Sequence, residues 1–163
     1  MVNLVVIHCT ELPDLETART YGERVHYPES ATGNSGHFYI DRNGAVEQWV
    51  PLDRIAHHVR GRNEKSVGIE LVNTGRYPDW LHSGNQEMTE PYPATQIESL
   101  IRLLKLLEVE VPGLESICGH EYLDQSRVPA TDNPGLLVCR KLDPGQMFPW
   151  SDVLSKTKLR QLS

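Results

Sequence analysis

A short, β-branched run near the start of the chain, Leu4-Val5-Val6-Ile7, ends in the polar residues His8-Cys9-Thr10. Such a run is typical of a strand that is buried on both faces of a sheet. In open sheets, ligand sites lie just outside the carboxyl ends of such strands. The run therefore predicts a sheet with covered faces, and it directs the search for function to the polar residues that follow strands.

Three other segments predict further strands. Residues 37–41 and 45–50 alternate around Asn43-Gly44, which is a strong signal for an antiparallel hairpin. Residues 66–72 form another apolar run with Glu70 inside it, and residues 115–119 are a short run that leads directly into His120. We expect all of these segments to belong to one sheet.

Helical signals alternate with these strands. Residues 14–25 are weakly amphipathic, and residues 95–109 carry apolar side chains at helical spacing. Thr95 and Glu98 have the spacing of a capping box, and Trp150, Val153 and Leu154 indicate a short C-terminal helix. Residues 73–93 and 124–137 are predicted loops. The expected fold is a single α/β domain over residues 1–163, with a mixed central β-sheet flanked by α-helices.

Composition excludes several classes of protein. A chain of 163 residues is within the ordinary range for one domain, and it has no apolar run near the ~20 residues of a membrane span. Three cysteines and the absence of a leader sequence favour a cytoplasmic location. A net charge of −6 disfavours nucleic-acid binding, which needs a basic face. We expect a monomer.

Five polar residues share a position at or near the end of a predicted strand: His8, Glu70, His120, Lys141 and Asp143. Two histidines and an aspartate suit a catalytic zinc, beside which a glutamate can accept a proton from water and a lysine can stabilise an oxyanion. The set suits amide hydrolysis. Each member also has a structural explanation, such as an ion pair or a hydrogen-bonded histidine, and no compact zinc motif is present. Spacing alone leaves both interpretations open.

A family resemblance favours the zinc interpretation. It rests on the run 5–10, the segment 36–44, Asn63 with residues 66–71, the triplet 119–121 and the segment 141–145. Together these resemble the zinc-dependent N-acetylmuramoyl-L-alanine amidases of the type 2 family, in the right order over residues 4–155. The resemblance implies cleavage between the lactyl group of N-acetylmuramic acid and the L-alanine of a stem peptide.

The resemblance also implies roles for individual residues. His8, His120 and Asp143 would bind one Zn²⁺, Glu70 would be the general base, and Lys141 would stabilise the oxyanion. Stem peptides carry carboxylates, so the substrate contacts are expected among four basic residues: His58, Arg60, Arg62 and Arg140. His37 belongs to a family motif but is expected to be structural.

Several alternatives stay open at this point. The chain could be a peptidoglycan-binding module with little catalysis, or a phage-lysin or effector amidase that acts on intact cell wall. The acidic net charge favours a small soluble muropeptide over an anionic wall. Cys118 could replace one ligand, although a buried thiol is the simpler interpretation. Tyr77, Trp80 and Tyr92 could stack on sugars or cover apolar surface.

Overall fold

The central element in the computed structural model, which describes residues 1–29 and 33–162, is a six-stranded sheet. Its strands are β1 Leu4–Cys9, β2 Phe38–Ile40, β3 Val46–Gln48, β4 Ser66–Leu71, β5 Ser116–Gly119 and β8 Arg160–Gln161, and they lie in the order β3-β2-β4-β1-β5-β8. All neighbouring strands are parallel except the antiparallel pair β2 and β3. This arrangement confirms the predicted α/β fold with a mixed sheet.

Helices pack on both faces of this sheet. The α-helices are α1 Leu15–Gly22, α2 Ala94–Glu110, α3 His120–Leu123 and α4 Trp150–Ser155, and a 3-10 helix spans Asn63–Lys65. Val5 and Ile7 of β1 are fully buried in one core cluster with Leu100 and Leu104 of α2. None of the helices in the described ranges is long and apolar enough to cross a membrane.

The opposite face of the sheet holds the alternate side chains of the same strands. Leu4 and Val6 of β1 pack there with Cys118 of β5 in a second apolar cluster. Because side chains alternate along a strand, His8 lies on this second face, two residues beyond Val6. The face that α2 does not cover is therefore apolar toward the amino ends of its strands and polar at their carboxyl ends.

Three local predictions need correction. The capping box at Thr95 does not form, since the Thr95 hydroxyl donates to Arg42 O, 2.8 Å away, and the cap residue of α2 is Pro93. The first helix ends at Gly22, whereas the sequence predicts helix to residue 25. The predicted loop 124–137 contains β6 Arg127–Pro129, which pairs with β7 Leu137–Cys139 in a separate antiparallel sheet. The predicted hairpin around Gly44 and the C-terminal helix are confirmed.

Candidate active site

The three predicted metal ligands meet at the carboxyl ends of β1 and β5. His8 Nδ1 lies 2.9 Å from Asp143 Oδ2, and His120 Nδ1 lies 3.2 Å from the same oxygen. One donor atom from each residue lies within 4.8 Å of the others, and all three side chains are buried. The strands pair Ile7 with Gly119, so the residue that follows each member of this pair emerges at the same edge. The register of the sheet thus brings the histidines together.

A chain of hydrogen bonds behind His8 fixes which of its nitrogens carries hydrogen. Ser66 Oγ donates to Arg62 O at 2.8 Å, so Ser66 can only accept from His58 Nε2, 3.2 Å away. His58 Nδ1 is then an acceptor for His8 Nε2–H at 2.9 Å. His8 Nδ1 is left with a lone pair that faces Asp143 Oδ2. A histidine that binds a metal through one nitrogen commonly donates from the other in this way.

The electrostatics of the three side chains fit a cation at their centre. Burial lowers the pKa of His8 to about 4, although the close contact with Asp143 and its charge oppose this shift. Burial alone would raise the pKa of Asp143, but its close contacts with His120 and His8 and the charges of His120 and Lys141 hold it well below its usual range. At neutral pH a neutral imidazole and a carboxylate therefore face each other through lone pairs.

Such an arrangement of acceptors needs a positive charge between them. Asp143 Oδ1 is also buried without a hydrogen-bond partner. Donor atoms bound to one tetrahedral zinc at its usual bond lengths lie roughly 3.3 Å apart, which is close to the two observed separations of 2.9 and 3.2 Å. The residues present therefore fit the zinc ion that the sequence predicts.

The two predicted catalytic residues lie in the same site. Glu70 follows the register of the sheet, in which it pairs with His8, and its Oε1 lies 4.0 Å from His8 Nδ1. Burial raises the pKa of Glu70 to about 8, with a further contribution from Asp143, while the charge of Lys141 lowers it. A Cβ at Gly36 would lie 2.9 Å from Glu70 Cγ, so this glycine leaves room for the carboxylate.

Gly68 makes room for His58 against the sheet. A Cβ on Gly68 would lie 2.5 Å from the His58 ring.

The Gly68 N–H donates to His37 Nδ1 at 3.0 Å, while His37 Nε2 donates to Arg54 O at 3.2 Å. His37 is therefore structural, as predicted. His58 lines the cleft, but both of its nitrogens have protein partners, which indicates a role in orienting His8.

The other predicted substrate contacts differ in position. The site opens into a cleft of about 840 Å³, and Arg60, Arg140 and Lys141 lie along its wall. The Arg140 guanidinium is held by Asp124 through two of its nitrogens. Arg62 is exposed and does not line the cleft. A substrate carboxylate in the cleft would thus meet Arg60 directly and would compete with Asp124 for Arg140.

Neither the predicted thiol alternative nor the aromatic loop adds to this centre. Cys118 lies within its apolar cluster, and burial raises the pKa of this thiol to about 12. Tyr77 and Trp80 pack against a third apolar cluster, and Trp80 also lines the cleft. Tyr92 donates to Pro144 O at 2.6 Å. Two of these aromatic residues therefore cover apolar surface, and Tyr92 fixes the turn that follows Asp143.

Sequence reasoning missed a buried ion pair beside the site. Arg76 donates to both carboxylate oxygens of Glu11 and is almost completely buried, and both residues line the cleft. A lone arginine in a predicted loop gives no local signal of burial. Only the tertiary contacts reveal it.

Comparison with known proteins agrees with this geometry. A family model described as N-acetylmuramoyl-L-alanine amidase matches residues 1–146. The 1,6-anhydro-N-acetylmuramyl-L-alanine amidase AmpD of Enterobacter cloacae is 31% identical over 121 residues, which is 69% of this chain and 51% of that protein. The endolysin of Klebsiella phage KP32 is 33% identical over 85 residues, or 52% of each chain. This chain therefore spans about half the length of these curated relatives.

Solved structures show the same fold. The amidase AmiD from E. coli, in complex with the substrate anhydro-N-acetylmuramic acid-L-Ala-D-γ-Glu-L-Lys, matches with a TM-score of 0.70 at 23% identity, covering 95% of this chain and 57% of that one. An AmpD crystal structure matches with a TM-score of 0.67 at 23% identity, covering 96% and 84% of the two chains. Since the family model covers most of the sequence, this chain belongs to the N-acetylmuramoyl-L-alanine amidase family.

Proposed function

We propose that this protein is a zinc-dependent amidase that cleaves the bond between the lactyl group of N-acetylmuramic acid and the L-alanine of a stem peptide. The observation that carries the proposal is the convergence of His8, His120 and Asp143 beside Glu70. Family membership supports the reaction type. The fold and the open cleft next to these residues support a substrate of several linked groups.

His8 and His120 would hold the zinc ion through Nδ1, and Asp143 through Oδ2. When bound, zinc supplies a Lewis acid that polarises the scissile carbonyl and favours deprotonation of water. His58 keeps the hydrogen of His8 on Nε2, which leaves Nδ1 free for the metal. The three ligands are buried, so they provide a fixed and largely dry setting for the reaction.

Glu70 would accept the proton of the attacking water and return it to the leaving amine of L-alanine. Its raised pKa makes its carboxylate a stronger base than an exposed glutamate. Lys141 lines the same cleft, and its ammonium group would donate to the oxyanion that develops on the carbonyl oxygen. The two residues thus have separate tasks, namely proton transfer and charge stabilisation.

A soluble muropeptide is the proposed substrate class. The AmpD relatives are described by activity on 1,6-anhydro-N-acetylmuramyl-L-alanine, and the AmiD structure contains an anhydromuropeptide. A net charge of −6 disfavours adsorption to an anionic wall. Arg60 could receive a carboxylate of the stem peptide at the cleft. We propose that a single chain acts on such fragments in the cytoplasm.

Comparison of the zinc-loaded wild type with Glu70→Gln and Asp143→Ala tests the reaction. We expect the wild type alone to release the peptide from an anhydromuramyl peptide, while Glu70→Gln still binds zinc. If all three proteins bound the muropeptide equally and none cleaved it, the chain would be a binding module. Lysis of intact sacculi faster than cleavage of the soluble fragment would overturn the proposed substrate class, and gel filtration checks the monomer.

A further inference from the structure

Arg76 uses every hydrogen of its guanidinium inside the protein. Nε and Nη2 donate to the two oxygens of Glu11 at 2.7 and 2.9 Å. Nη1 donates to Gln86 Oε1 at 3.2 Å and to Cys139 O at 2.9 Å, and Nη2 also donates to Arg140 O at 3.3 Å. A guanidinium has five N–H groups, so all five have partners. This residue has only 1% of its surface exposed.

The two carbonyl groups that Arg76 binds lie directly before the residues that matter for chemistry. Cys139 and Arg140 precede Lys141, and Asp143 follows two residues later. The segment 140–143 contains no helix or strand, and backbone hydrogen bonds hold it at its two ends, from Arg140 N–H to Ser126 O at 2.9 Å and from Glu121 N–H to Asp143 O at 3.1 Å. Arg76 therefore supplies two bonds to the backbone from which both the oxyanion donor and a metal ligand project.

Glu11 is built into the same arrangement by backbone geometry. It follows the carboxyl end of β1, two residues beyond Cys9, and has a positive φ of 49°. Gly75 has a φ of 54°, and a Cβ there would lie 2.6 Å from Glu11 Cγ. The Arg76 N–H also donates to Glu11 Oε1 at 3.2 Å. The pair thus connects the strand that holds His8 with the segment that holds Asp143.

We propose that Glu11 and Arg76 form a positioning pair that fixes Lys141 and Asp143 relative to His8. Stability alone does not require such a pair, because a buried ion pair can often be replaced by apolar residues without loss of stability. A planar fork that binds two successive carbonyls fixes orientation, which a lysine ammonium cannot reproduce. The catalytic consequence rests on the proposed function, whereas the ordering of residues 139–143 does not.

The chain offers a matched control in Arg42. It also forms a two-pronged pair, with Glu90, at 2.6 and 3.2 Å, and it donates to Pro13 O at 2.7 Å. It binds the 73–93 loop through Thr74 Oγ1 at 3.2 Å, and within the described part of the chain its side chain makes no hydrogen bond to residues 139–143. Arg76→Lys and Arg42→Lys therefore make the same chemical change, the first in a buried pair and the second in a partly exposed one.

Hydrogen exchange of the metal-free protein reads out the ordering directly. We expect Arg76→Lys to speed amide exchange within residues 139–143 by roughly 10- to 100-fold, since bonds to a charged group are lost. Arg42→Lys should leave this segment at the wild-type rate. Titration of the metal-free proteins with zinc should show binding that is roughly 10- to 100-fold weaker in Arg76→Lys than in the wild type. When saturated with zinc, Arg76→Lys should have a lower kcat than the wild type, whereas Arg42→Lys should have the wild-type kcat.

The double variant Glu11→Leu with Arg76→Met guards against a simple loss of stability. It replaces the pair by apolar side chains, and we expect a melting temperature near that of the wild type, together with the same fast exchange and weak zinc binding. Wild-type exchange and zinc affinity in Arg76→Lys or in the folded double variant would overturn the proposal. Equal effects in Arg42→Lys would also overturn it, as would failure of both Arg76 variants to fold.

Different results would overturn the proposed function and the positioning role of the pair. If the wild type cleaves no muropeptide, the proposed function fails, but the exchange rates of metal-free protein still decide whether the pair orders residues 139–143. If the wild type cleaves the substrate and Arg76→Lys matches it in exchange, zinc affinity and kcat, the positioning role alone is wrong.

Discussion

Replacing His58 with alanine removes the acceptor that holds the hydrogen of His8 on Nε2. In the wild type, His8 Nε2 donates to His58 Nδ1 at 2.9 Å, and Ser66 fixes His58 from behind. Without His58, the hydrogen of His8 can move to Nδ1, where it would bond Asp143 Oδ2, 2.9 Å away. That tautomer satisfies the carboxylate in the absence of metal and occupies the lone pair that zinc needs.

The expected magnitude follows from this competition. Loss of a residue that orients a metal ligand typically costs 10- to 100-fold in metal affinity, which corresponds to about 1.4–2.8 kcal/mol. Titration of metal-free protein with zinc in the presence of a competing chelator measures the change. We expect His58→Ala to lie in this range, and His58→Gln to recover part of the loss, because its amide oxygen can again accept from His8.

The family resemblance assigns His58 to substrate contact instead, and the same variant separates the two roles. A substrate contact predicts a higher KM and an unchanged zinc affinity, since the metal ligands would keep their geometry. An orienting role predicts weaker zinc binding in the absence of any substrate. If His58→Ala bound zinc as tightly as the wild type, the hydrogen-bond chain behind His8 would have no bearing on the metal site.

Four further variants test other parts of the molecule. Gly68→Ala places a Cβ 2.5 Å from the His58 ring, and calorimetric zinc titration should show weaker binding with the fold retained by circular dichroism. Asp143→Asn should lose stoichiometric zinc by elemental analysis, whereas Lys141→Ala should keep zinc and lose roughly 10²-fold or more in kcat. Leu104→Ala, on the buried face of α2, should lower the free energy of unfolding by about 2–5 kcal/mol, as measured by urea denaturation.

The fold could be predicted where local patterns and tertiary packing agree. The apolar runs of β1 and β4, and the hairpin glycine Gly44 with its φ of 87°, gave correct elements. The predicted capping box does not form because the Thr95 hydroxyl donates instead to the carbonyl of Arg42, 53 residues away in sequence. The small sheet of β6 and β7 has three-residue strands, one of which ends in Pro129, so its pattern is too short to detect.

The site also contains residues that sequence predicts and residues that it does not. His8, Glu70 and His120 lie at the ends of strands, where sequence already indicates a common edge of the sheet, and the structure places them together with Asp143. The pairing of Arg76 with Glu11 depends on contacts 65 residues apart in sequence, which no local spacing encodes. Ordering of the ligands by buried partners is thus the part of the site that only three-dimensional packing reveals.

Titration of metal-free protein with zinc, while cleavage of an anhydromuramyl peptide is followed by mass spectrometry, tests the central claim most directly. We expect no cleavage without metal and full activity after one equivalent of zinc per chain. The fragments should correspond to hydrolysis between the lactyl group and L-alanine. Stoichiometric zinc binding without cleavage, or undiminished cleavage by protein shown to be metal-free, would contradict it.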